Sequence, residues 1–70
     1  MMKISARNAL KGKITAIKRG AVMAQISVDI DGSNTVSSAI FVESADDLDL
    51  KIGDEVLAVV KSTNVMIAKP

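Results

Sequence analysis

The sequence predicts an all-β domain: five short strands closed into a Greek-key barrel, with one short helix between the third and fourth. Three observations lead there. Apolar and polar residues alternate with period two along most of the chain, which is the pattern of strands with one face inward. Turn residues, Asp31-Gly32 and Gly53, interrupt the alternation where hairpins need them. The period changes only once, at "ESADDLDL".

In "LKGKITAIKRG", Leu10, Gly12, Ile14 and Ala16 alternate with Lys11, Lys13 and Thr15, giving a first strand with one apolar and one charged face. Ile17 breaks this alternation near the end. "AVMAQISVDI" sets Val22, Ala24, Ile26, Val28 and Ile30 against Met23, Gln25, Ser27 and Asp29, the clearest strand of the chain. Asp31 and Gly32 offer a turn with a residue at positive φ, and the loop Asp31 to Asn34 returns the chain into "TVSSAIFV" as a hairpin.

Ser44 is followed three residues later by Asp47, a start that resembles a capping box, and the acidic residues around it suit a helix N-terminus. One short helix or 3₁₀ turn ending near Leu48 is expected. Gly53 then turns the chain into "EVLAVVK", which is apolar on both faces, and "NVMIA" is expected as the fifth strand. Strands that cannot expose either face belong in a closed barrel or at a subunit boundary. The order β, β, β, helix, β, β is that of the OB-fold. No repeat, linker or low-complexity stretch divides the chain, so residues 1–70 read as a single domain.

Composition limits what such a domain can do. With no cysteine and no histidine, neither disulfides nor thiolate metal sites form, and the commonest metal ligand and general base are missing. Asp46, Asp47 and Asp49 are explained by helix-start charge preference. "DIDGSN" has Asp29, Asp31 and Gly32 in a calcium-loop-like order, but lacks the later bidentate acid of an EF-hand and is flanked by strands. Enzyme chemistry, a metal site and a cofactor are therefore not expected.

Hydrophobic residues make up 49% of the chain and aromatics 1%. That is more aliphatic side chain than so small a core absorbs, so part of it is expected to face other subunits. The N-terminal "MMKISARN" has no apolar stretch of signal-peptide or membrane-span length, which points to a cytoplasmic protein.

The formal net charge of +1 provides no global field for nucleic acid. Lys11, Lys13, Lys18 and Arg19 lie along one strand, yet Phe41 is the one aromatic available for base stacking. An OB-fold nucleic-acid-binding module is the alternative reading, and a solvated charged face is the simpler account of those cations.

Two donor-rich clusters suggest a third class. Ser5, Arg7 and Asn8 stand before the first strand, and Lys61, Ser62, Thr63 and Asn64 separate the last two apolar runs. Either could be an ordinary polar end or turn. Together with backbone N–H groups they also compose a donor set for a small anion. Four or five charge-assisted bonds of about 1.5–3 kcal/mol each bracket the roughly 8 kcal/mol of a micromolar site before desolvation and ordering losses.

The stretches "ISARNALKGKI", "KRGAVMAQISVDI" and "GDEVLAVVKSTNVMIA" resemble the molbindin family, also called Mop or TOBE-type domains, over nearly the whole chain. The resemblance implies an OB-like barrel assembled as a hexamer, a trimer of dimers, that binds molybdate or tungstate between subunits for intracellular storage and homeostasis. It also implies an interface site where the N-terminal motif of one chain meets the C-terminal turn of another: Ser5, Ala6, Arg7 and Asn8 with Lys61 and Ser62. A second site is implied near a threefold axis at Gly20, Ala21 and Val22. The family often has Asn after that motif, where this chain has Met23, and a small polar residue where it has Phe41.

Overall fold

The computed structural model describes residues 8–70. Its order is β1 (Asn8–Arg19), β2 (Met23–Asp29), β3 (Thr35–Phe41), α1 (Val42–Asp47), β4 (Glu55–Val60) and one 3₁₀ turn, Ser62–Asn64. The strands form a single antiparallel sheet in the order β3-β2-β1-β4. Its inner face gathers Ile14, Ala24, Ile26 and Val28, with Ala45 of α1 packed against them, all buried.

The break at Ile17 has a structural cause. Ile14 pairs with Val28 but Ala16 pairs with Ser27, so Thr15 is the extra residue of a β-bulge. Its hydroxyl donates to the Ser27 carbonyl at 3.4 Å. Because a bulge reverses the side-chain alternation, Gly12 and Ile14 point inward before it and Ile17, opposite buried Ile26, after it. The bulge also lies where β1 binds the turn preceding β4: Ile14 N–H donates to the Asp54 carbonyl at 3.0 Å, and Gly53 N–H to the Ile14 carbonyl at 2.8 Å.

Gly12 is required by close approach. A Cβ there would stand 2.5 Å from the Asp29 carbonyl oxygen and 2.8 Å from Val28 Cγ1. The β2–β3 loop is held from within. Asp31 accepts from the backbone N–H of Ser33 (3.1 Å) and Asn34 (2.9 Å) and from both their side chains, while Asp29 accepts from Gly32 N–H at 2.9 Å. These bonds, that to the Ser33 backbone foremost, hold the Asp31 carboxyl below its ordinary pKa.

The expected helix forms and ends at Leu48, but it starts two residues before Ser44, at Val42, and Phe41 precedes it with no side-chain cap. The capping box is not used because β3 runs directly into the helix and the Val22 carbonyl accepts the Val42 N–H at 2.8 Å. A Schellman closure ends it: Leu50 N–H reaches the Ala45 carbonyl, Asp49 N–H reaches that of Asp46, and Asp49 takes φ 50°.

The fifth strand is the main departure. Residues 65–68 belong to no strand, and Met66 and Ile67 are each 92% exposed. A strand forms only where another backbone edge pairs with it, and the tail does not lie against either edge of its own sheet. Four strands therefore curl into an OB-like sheet that the chain leaves open between β3 and β4.

Candidate anion site at the β1–β4 end

Six ladder positions, from Asn8↔Val60 to Lys13↔Glu55, join β1 to β4. The Asn8↔Val60 pair closes the ladder, and Lys61 follows directly. The start of β1 and the polar turn after β4 are thus at one end of the same two-stranded ribbon. Lys61 is extended at φ −64°, ψ 140°, and the next three residues wind one 3₁₀ turn, closed by Asn64 N–H donating to the Lys61 carbonyl at 2.9 Å. Small polar residues permit so tight a turn, and the side chains of Lys61, Ser62, Thr63 and Asn64 are all exposed.

Of the first predicted site, Asn8, Lys61 and Ser62 are brought to this common end. Ser5, Ala6 and Arg7 lie outside the described residues. A hydroxyl, an amide and an ammonium are available there, and this is a set of donors suited to a small oxyanion. The resemblance closes this cage between two chains; within one chain the register already sets residue 8 beside the turn.

The second predicted site is elsewhere. Gly20, Ala21 and Val22 form the β1–β2 connection, at the opposite end of the 12-residue β1. Gly20 N–H donates to the Met23 carbonyl at 2.8 Å. The depression beside Ala21 and Val22 is also lined by Phe41, Val42, Glu43, Asp46 and Asp47. Arg19 forms an ion pair with Asp46; Glu43 and Asp47 add negative charge. A single chain therefore builds no donor-only cage at this loop. The carboxylates escaped sequence reasoning because helix-start preference explained them locally, whereas the Val42–Val22 backbone bond is tertiary.

Two of the four cations considered for nucleic acid have acidic neighbours. Lys11 Nζ is 3.6 Å from Glu55, and Arg19 pairs with Asp46. Both are solvated pairs that disperse the positive stripe rather than concentrate it. Among the described residues no group of three or more acidic residues is arranged to hold a metal ion, and no helix is long and apolar enough to cross a membrane.

The chain is similar to known proteins over nearly its whole length. The TOBE domain family matches residues 4–67. Molybdenum-pterin-binding protein 3 of Clostridium pasteurianum is 52% identical over 66 residues, covering 94% of this chain and 97% of that protein. Among solved structures, a molybdate-binding protein from Sporomusa ovata superimposes with a TM-score of 0.91 at 43% identity, over 97% of this chain and 100% of its own. MopII from Clostridium pasteurianum gives 0.89 at 48% identity, over 96% and 100%.

Proposed function

The chain belongs to the TOBE domain family, and on that premise we propose that it binds molybdate, or its analogue tungstate, as a non-catalytic oxyanion carrier. The observation that carries this reading is the Asn8↔Val60 pair, which sets Asn8 beside the Lys61–Asn64 turn. The names of its relatives, molybdenum-pterin-binding and molybdate-binding proteins, support the choice of anion. In this reading Ser5, Ala6, Arg7 and Asn8 of one chain and Lys61 and Ser62 of another surround the ligand. The assembly is a homo-oligomer, a hexamer built as a trimer of dimers, acting in cytoplasmic storage and homeostasis.

The chemistry of the donor set agrees. Molybdate is a doubly charged tetrahedron that accepts hydrogen bonds and donates none, so hydroxyl, amide, guanidinium and ammonium groups suit it, and a carboxylate would repel it. Hydrogen phosphate carries a proton that seeks an acceptor, and a cage of donors disfavours it. Sulfate shares charge and shape but is smaller, so cavity size must separate the two. The Gly20–Val22 loop is a second location in this reading. There, cations from another copy would have to offset Glu43 and Asp47.

The test is calorimetric titration of ligand-stripped protein with molybdate and then, in the same buffer, with sulfate. Saturable molybdate binding with sulfate silent is the expected result. Absence of heat with molybdate and tungstate would overturn the proposal and leave an OB-like module whose partner is nucleic acid or protein.

A further inference from the structure

We propose that the β2–β3 loop protects the Asp31–Gly32 step of the backbone from spontaneous isomerisation, by holding the two groups that would react, the Gly32 nitrogen and the Asp31 carboxyl, on other partners.

The step is chemically exposed. Asp31 is the one aspartate or asparagine of the chain that precedes a glycine, and glycine neither shields its own nitrogen with a side chain nor restricts the backbone turn that ring closure needs. In the reaction a bond forms between the Gly32 nitrogen and Asp31 Cγ, while the N–H proton and the carboxyl hydroxyl depart together as water. The five-membered imide then takes water back at its main-chain carbonyl. The chain is left joined through the Asp31 side chain, one carbon longer and with no change in mass.

That extra carbon would enter a tightly closed hairpin. Asp29 pairs with Thr35, and Ile30 N–H donates to the Asn34 carbonyl at 2.8 Å. β3 takes its register from this turn, with Val36 opposite buried Val28 and Ile40 opposite buried Ala24. Burial does not protect the step, because residues 31–34 are all exposed.

The hydrogen bonds do. Gly32 N–H donates to Asp29 Oδ1 at 2.9 Å, so the attacking nitrogen is turned toward a carboxylate other than the one it would attack. Asp31 Oδ1 accepts from the backbone N–H of Ser33 at 3.1 Å and of Asn34 at 2.9 Å, and also from the Ser33 hydroxyl and the Asn34 amide. Its Oδ2 accepts from the Asn34 amide at 3.0 Å. Ring closure needs a protonated carboxyl, since hydroxide leaves far less readily than water, and a carboxylate held by these donors stays ionised. The carboxyl is also drawn past Gly32 toward residues 33 and 34. Asp29 is a positioning residue in this account, and no anion takes part in it.

The test is to incubate the full chain warm at neutral pH and measure isoaspartate at residue 31 by peptide mapping, beside a synthetic peptide of residues 28–37 treated alike. The full chain should isomerise about tenfold or more slowly than the peptide, because the loop bonds must open before the ring closes. Asp29→Ala should react faster than the parent, whereas Asp29→Asn, which keeps an oxygen acceptor for Gly32 N–H, should stay near the parent rate. Asn34→Ala removes the amide contacts to both Asp31 oxygens and should also accelerate the reaction. Thermal transitions check that each variant is folded; if Asp29→Ala unfolds, Asn34→Ala decides the question. A full chain as fast as the peptide would overturn the proposal. So would folded Asp29→Ala at or below the parent rate, since Asp29 would then be idle or would draw off the Gly32 proton as a base.

Discussion

Asn8 and Val60 are Cα partners at the last position of the β1–β4 ladder. That pair ties two stretches more than fifty positions apart in the sequence into one corner, with Lys61 next to it. Within one chain the ladder thus sets the Asn8 amide beside the exposed polar turn Lys61–Asn64.

Removing charge from that corner should weaken molybdate binding without unfolding the barrel. Lys61 is exposed and outside the core, so Lys61→Ala should leave the thermal transition nearly unchanged. Loss of one charge-assisted bond of about 1.5–3 kcal/mol corresponds to roughly 10- to 150-fold weaker affinity. Arg7→Ala should act in the same direction. Unchanged affinity by calorimetry in both variants would remove the assignment.

Affinity should be nearly flat between about pH 6.5 and 8. The chain has no histidine, the side chain whose reference value falls in that window. Titrations at three pH values in one buffer system would check this, and a steep decline across the window would be incompatible with a site of Lys, Arg and neutral donors.

Gly12→Ala should destabilise the protein by about 1–3 kcal/mol, the usual range for overpacking. The added Cβ would meet the Asp29 carbonyl oxygen at 2.5 Å, and a backbone atom inside a ladder cannot move aside as a side-chain tip can. Urea denaturation would measure the effect; a midpoint equal to that of the parent would mean that β1 and β2 separate locally without cost.

Acid should loosen the β2–β3 loop through Asp31. Its carboxyl is held below the ordinary value of 3.8, chiefly by the Ser33 N–H and the Asn34 side chain. A lowered folded-state pKa means that the carboxylate's contribution is complete above the unfolded value and is lost as pH falls through the folded one. An NMR titration should put the Asp31 midpoint below that of a free aspartate. Asp31→Asn should remove this loop's share of the acid response while sparing molybdate binding, since Asp31 is no part of the proposed donor set.

The OB-like topology was legible because the first two strands announce themselves by alternation, the third by the hairpin turn before it, and the fourth by its apolar run after Gly53. Gly32 and Gly53 do take positive φ, at 85° and 93°. Even the irregular Ile17 was visible as a break, although only the ladder identified Thr15 as the inserted residue. The helix was placed correctly at its end and late at its start, because a backbone bond from Val42 to Val22 replaced the cap that Ser44 was expected to supply.

What the sequence determined by itself was local: which residues alternate, where glycine must turn the chain, and which side chains carry donors without carboxylates. Those follow from covalent geometry and side-chain chemistry within a few residues. Tertiary structure alone decided that Asn8 meets Val60, that acids of α1 share a depression with Ala21 and Val22, and that residues 65–68 find no edge within their own sheet. Each of these depends on how distant backbones pair, and a periodic pattern states that a strand has an inner face without stating which edge, or whose, lies beside it.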